Sequence, residues 1–154
     1  IMAYSHIAHD CFVGNNCILA NCATLAGHVC VEDKAVIGGL AAVHQFVRVG
    51  KLSIIGGCSK VVQDIPPLST CDGHPAKVYG LNSVGLKRAN THFSTISALK
   101  AAFKYLFFSG LNTAHAIEMV ENNITLSPEV RYLLDFVKSS KRGITKSQDN
   151  RTEE

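Results

Sequence analysis

Residues 25–60 read LAGHVC VEDKAV IGGLAA VHQFVR VGKLSI IGGCSK when cut into sixes. Every block opens on an aliphatic residue: Leu25, Val31, Ile37, Val43, Val49 and Ile55. Extending the cut outward adds IMAYSH, IAHDCF, VGNNCI and LANCAT before, and VVQDIP after, so the first position is aliphatic in all eleven blocks. The second position is mostly small (Ala8, Gly14, Ala20, Ala26, Gly38, Gly50, Gly56), and so is the fifth. A helix repeats its apolar positions every 3.6 residues and a half-buried strand every 2. A strict period of six fits neither and is the signature of a hexapeptide β-helix. Three blocks close a triangular coil of 18 residues, the aliphatic residue fills the prism, and coils stack at about 4.8 Å. The small residues are expected near the corners, where the chain turns.

Ile1 is already in phase, and stacked repeats need caps at both ends, so further coils are expected before it. Past Pro66 and Pro67 the period stops. Residues 67–80, with Gly73 and Pro75, read as a connecting loop. Helical signals follow over 81–146. Ile96, Leu99, Phe103, Leu106 and Phe107 share one helical face, ended by Gly110. Asn112 is placed to cap a helix carrying Ile117, Val120 and Ile124. Ser127-Pro128 is a cap followed by a first-turn proline, ahead of Val130, Leu133, Leu134 and Val137, with Gly143 as the stop. The division is therefore a β-helix over 1–66, a loop over 67–80, a small helical domain over 81–146 and a disordered tail over 147–154.

With 47% hydrophobic and 18% charged residues, the 154-residue chain can bury a core. A net charge of +3 does not call for nucleic acid. The charge is uneven: residues 1–66 carry four Lys/Arg against four Asp/Glu, and 81–146 carry nine against four. The C-terminal excess could receive an acidic partner. None of the six cysteines forms a C-x-x-C pair, which speaks against zinc and redox motifs and for reduced, buried thiols in the cytosol. No run approaches the ~18 apolar residues of a membrane span.

An 18-residue coil stacks blocks two, five, eight and eleven. Their third positions are His9, Gly27, Gln45 and Gln63; their fourth are Asp10, His28, Phe46 and Asp64; their second include His44. His6 leads into this face. Third and fourth side chains are expected to point outward. One histidine on a solvated face is usually just a polar residue meeting water, but four of the chain's seven on one face mark a candidate site. Acid–base chemistry needs a single histidine whose tautomer a carboxylate fixes, and Asp10 is adjacent to His9. The His-x4-His pair through which related prisms hold zinc is absent, so no metal is expected.

The stretches HIAHDC, LANCATLAGH, IGGLAAVHQF, IGGCSKVVQDIPP and GLKR closely resemble the UDP-N-acetylglucosamine acyltransferases, which open lipid A synthesis, over residues 1 to about 142. The resemblance implies a left-handed parallel β-helix of hexapeptide repeats followed by a small C-terminal helical domain. It implies a cytoplasmic homotrimer with sites between neighbouring prisms. The reaction implied moves a fatty acyl chain from acyl carrier protein to the 3-hydroxyl of UDP-N-acetylglucosamine. No cofactor is implied beyond the carrier thioester, and acyl carrier protein is the acidic partner. Carried over by residue, His9 is the general base, Asp10 its orienting carboxylate, and the Gly27 N–H the oxyanion donor. His6, His28, His44 and Gln45 line the substrate pocket. Asn82 and Arg88 contact the nucleotide and its phosphates, and Gly57 limits acyl length, its lack of a side chain leaving room for a long chain. Ala89 stands where the family often has a second arginine, and His74 lies where a GN-type pair is common. Lys87, Arg88, Lys138, Lys141 and Arg142 are the candidate carrier contacts.

Other readings are an amino-sugar N-acyltransferase or an acetyl-CoA-dependent enzyme on the same prism, a metal-dependent hydratase, and a non-catalytic scaffold.

Overall fold

The computed structural model describes residues 1–148. Ten two-residue strands, β1 (His6–Ile7) through β10 (Lys60–Val61), recur every six residues. They stack into three parallel sheets, one per side of a left-handed prism. The partner of each residue is 18 later: His6 lies beside Thr24, Phe12 beside Cys30, and Thr24 beside Ala42. From Leu19 to Val61 the first-position aliphatics are buried, and Ala23, Val29, Ala35, Ala41, Val47, Ser53, Ser59 and Ile65 from the fifth position join them inside. At the open end Ile1 and Ile7 remain exposed.

The turns do not lie where the small residues suggest. Strands occupy the sixth and first positions of each block, and the chain turns at the third and fourth. In the first ten blocks the fourth residue is left-handed, among them Tyr4 (φ 60°), Asp10 (57°), His28 (60°) and Phe46 (64°). None is glycine. Such a conformation costs ~1–2 kcal/mol. Burying one Val, Leu or Ile per block returns ~1.5–3 kcal/mol. The turned amide also gains a bond to the preceding coil: His28 N–H donates to His9 O (3.0 Å) and Phe46 N–H to Gly27 O (3.2 Å). Second positions are small for another reason. A Cβ at Gly38 would fall 2.5 Å from Gly57 N, and one at Gly50 would fall 2.4 Å from Pro67 N.

The eleventh block breaks the register. Val49 bridges to Ile65 and Ile54 pairs with Thr70, an offset of 16 rather than 18. Asp64 accordingly does not point outward. It is 1% exposed, and its carboxylate accepts the Arg48 N–H (2.8 Å) and the Ser140 hydroxyl (2.7 Å). The expected loop is a hairpin: β11 (Ser69–Gly73) and β12 (Ala76–Leu81) pair antiparallel, and β11 continues the sheet from β9 (Ile54–Ile55). Gly73 and Pro75, read as breakers, form its tip; inward Ser69, Cys71, Ala76 and Val78 alternate with outward neighbours.

Helix α1 (Ser83–Arg88) follows, then α2 (Phe93–Phe107), α3 (Thr113–Asn123) and α4 (Pro128–Ser139). Asn112 and Ser127 cap α3 and α4 as the sequence predicts, with Pro128 in the first turn. Helix α2 ends at Phe107, with Gly110 (φ 72°) just beyond. Gly143 does not end α4, which stops four residues earlier. Its carbonyl accepts the Asp64 N–H, and residues 144 and 147 bridge to Asp64 and Val78. Ser147, the first residue of the expected tail, is thus packed; residues 149–154 lie outside those described. Helix α4 binds the prism's flank through Arg48, whose guanidinium lies 4.1 Å from the Phe136 ring centre, and through a Tyr132 hydroxyl bond to Glu32.

Candidate functional site

Because positions three and four form corners, the histidine column runs along an edge of the prism rather than across a flat side. His9 and Asp10 occupy the corner between β1 and β2 (Phe12–Val13), and Gly27 and His28 the corner one coil on. The two triplets Ala8-His9-Asp10 and Ala26-Gly27-His28 are therefore neighbours, held by the 18-residue register.

His9 Nδ1 lies 2.9 Å from Asp10 Oδ2. Nδ1 as the donor to this carboxylate leaves the lone pair on Nε2, the tautomer a general base needs. The hydrogen bond from His9, followed by the positive charge of His28, holds the Asp10 carboxyl below the usual carboxylate range. His28 Nε2 is 3.8 Å from the same oxygen, and its ring meets His9 edge-on at 5.0 Å between centres. The other face of His28 stacks on Phe46, 4.7 Å away and within 6° of parallel. Phe46 escaped the sequence reading as a functional residue, although its place in the fourth-position column above His28 was visible there.

Gly27 is buried beneath the His9 ring. A Cβ there would come within 2.7 Å of both Cε1 and Nε2 of His9. Its φ is not positive, so the glycine serves close approach, not a turn. Its amide donates to no group among the described residues. A bare N–H thus sits beside a histidine of fixed tautomer, an arrangement able to take a proton and to receive a developing oxyanion. The donor atoms of His9, Asp10 and His28 also lie within 4.8 Å of one another, the single group of potential metal ligands among the described residues.

The remaining predicted residues are spread along or beyond this edge. His44 and Gln45 are exposed one coil further on, with His44 Nδ1 3.3 Å from the Gln45 carbonyl. His6 projects from β1 and is exposed. Gly57 is exposed and lacks a positive φ, so no turn demands glycine there, but a Cβ would fall 3.2 Å from the backbone Gly39 O, a tight approach that glycine avoids. Asn82 is 5% exposed and has a structural task. Its Oδ1 caps α1 through the Gly85 N–H, and its Nδ2 donates to Leu52 O. That cap presents Lys87 and Arg88 in the last turn of α1. No side-chain hydrogen bond or ion pair joins Asn82 or Arg88 to the His9 cluster among the described residues. His74 is exposed at the hairpin tip. Of the five basic residues, Lys138 pairs with Glu121 and Arg142 donates to Val62 O, which leaves Lys87, Arg88 and Lys141 exposed and unpaired among the described residues. Cys11 and Cys17 pack inward, their thiols donating to the Ala26 and Glu32 carbonyls of the next coil.

Residues 64–145 match the family described as "Udp N-acetylglucosamine O-acyltransferase; Domain 2". Over 145 residues the chain is 51% identical to the acyl-[acyl-carrier-protein]–UDP-N-acetylglucosamine O-acyltransferase of Nautilia profundicola, covering 94% of this chain and 55% of that protein. Identity to the like-named protein of Burkholderia orbicola is 45%, covering 94% and 56%. The UDP-N-acetylglucosamine acyltransferase structure from Bacteroides fragilis superposes with a TM-score of 0.92 at 36% identity, covering 95% of this chain and 57% of that one. The structure from Campylobacter jejuni does so at 0.88 and 43%, covering 96% and 57%. The chain spans about half the length of the curated relatives it matches. Prism, hairpin and helical domain all fall within these matches, and the chain belongs to the UDP-N-acetylglucosamine O-acyltransferase family.

Proposed function

We propose that the protein transfers a fatty acyl chain from acyl carrier protein to the 3-hydroxyl of UDP-N-acetylglucosamine, the step that opens lipid A synthesis. The observation that carries this reading is the fit of His9 against the bare backbone of Gly27. His9 Nε2 takes the proton of the sugar hydroxyl as its oxygen attacks the thioester carbonyl. Asp10 holds the imidazole and stabilises its charged form. The carbonyl oxygen becomes an oxyanion facing the Gly27 N–H. Collapse breaks the C–S bond, and His9 returns its proton to the departing carrier thiol. A base of this kind contributes ~10²–10⁴-fold, and no acyl-enzyme is needed.

His6, His28, His44 and Gln45 line the substrate along the edge. Arg88 supplies charge for the phosphates, with Asn82 holding its helix, and Gly57 leaves space for the acyl tail. In the single chain His9 is 73% and Asp10 67% exposed. A general base works best screened from bulk water, so a neighbouring prism in a homotrimer supplies the other wall. The carrier docks on Lys87, Arg88 and Lys141, in the cytoplasm. No helix among the described residues is long and apolar enough to cross a membrane. The test is mass analysis of the product made by the full-length protein from UDP-N-acetylglucosamine and mixed carrier thioesters. An O-acylated sugar nucleotide is expected; an N-acylated product, or turnover only with coenzyme A donors, would refute the assignment.

A further inference from the structure

The edge that carries His9 holds more ligand chemistry than proton transfer uses. Two imidazoles and a carboxylate from successive coils converge, with all three donor atoms within 4.8 Å of one another. A tetrahedral ion with bonds of about 2.1 Å sets its ligands about 3.4 Å apart. The distances from Asp10 Oδ2, 2.9 Å to His9 Nδ1 and 3.8 Å to His28 Nε2, bracket that spacing. The ligands are also held in place. Asp10 and His28 occupy equivalent left-handed corners of adjacent coils, the His28 N–H is tied to His9 O, and the His28 ring is stacked on Phe46. In the single chain the His28 side chain is 42% exposed, so the protein atoms of this chain leave room for further ligands such as water.

We infer that His9, Asp10 and His28 form a binding site for a divalent transition-metal ion, and that the bound ion switches the site off. Two imidazoles with one carboxylate select Co²⁺, Ni²⁺ or Zn²⁺ over Mg²⁺ and Ca²⁺. Ion binding withdraws Asp10 and His28 from their posts and commits the His9 lone pair, so the base is lost while metal is bound. The inhibitory consequence rests on the acyl-transfer reading; the binding itself does not.

The experiment is titration of the full-length protein with Co²⁺, followed by visible absorption. One ion per chain is expected, without the charge-transfer band that a thiolate ligand gives. Excess Mg²⁺ leaves the titration unchanged. His28→Asn and Asp10→Asn each weaken binding at least tenfold. Asparagine is chosen because it tolerates a left-handed corner, and matched melting curves verify the fold. Binding unaltered in both variants, a thiolate band, or no binding at millimolar Co²⁺ would overturn the proposal. Acyl transfer by the same protein is expected to fall as Co²⁺ saturates and to recover with EDTA. Saturation with full activity would count against His9 as the base while leaving the metal site standing.

Discussion

Gly27→Ala isolates the contact on which the proposed acyl transfer depends. The new methyl would start 2.7 Å from the His9 Cε1 and Nε2 atoms, whereas ordinary contact begins at 3.4 Å. The ring must therefore retreat by about 0.7 Å or swing outward. It is free to do so, being the far end of an exposed side chain, and the glycine's φ suits alanine. Folding stability should thus change by no more than about 1 kcal/mol. Catalysis should not be so forgiving, because a misplacement near 1 Å costs on the order of 100-fold. The expected result is kcat lower by about 100-fold, or about 2.7 kcal/mol, with an unchanged melting temperature. The assay is steady-state transfer from a carrier thioester, with His9→Ala and the double variant measured alongside. If alanine acts by moving His9, the second substitution adds little once His9 is gone. Near-normal kcat in Gly27→Ala, or full additivity in the double variant, would refute the reasoning.

His9→Ala alone should remove nearly all turnover, on the order of 10²–10⁴-fold, with the circular dichroism spectrum intact. The Asp10 carboxyl should titrate by carbon NMR below the usual carboxylate range and move back up in His9→Ala. Being depressed in the folded state, its contribution is present above the unfolded value and lost as pH falls through the folded one. Burial pushes the Cys71 thiol up to about 12, so at pH 8 it should resist alkylation that modifies exposed Cys58, as mass spectrometry of labelled peptides would reveal. Asp64→Ala leaves the Arg48 amide and the Ser140 hydroxyl without their acceptor, and should cost about 1–3 kcal/mol in a denaturant titration.

The coil length, the stacking of Gly27 beside His9, and the capped helices were legible because each follows from spacing. A six-residue period admits few windings, and an 18-residue coil then dictates which residues meet. Small residues do not mark the corner: at Gly38 and Gly50 smallness marks the neighbouring coil's approach, not a turn. The usable signal was subtler. The fourth column runs Tyr, Asp, Asn, Cys, His, Lys, Leu, Phe, Leu, Cys and contains no Val, Ile or Thr, the residues least able to adopt a positive φ. The hairpin was hidden by Gly73 and Pro75, which break an isolated strand but suit a tip. Asn82's capping bond to Gly85 was likewise readable, but its bond to Leu52 spans 30 residues and no local pattern announces it.

A stack of parallel coils has a natural hazard, since its final rung offers unpaired backbone to the next molecule and invites endless fibres. The two-residue shortening after Val61, the antiparallel turnback of residues 69–81 and the crossing of residues 144–147 leave no eighteen-residue ledge at that end. A second prism arriving end-on after residue 61 would therefore find a crossed and shortened rung rather than one it could extend, so axial growth is blocked on that side.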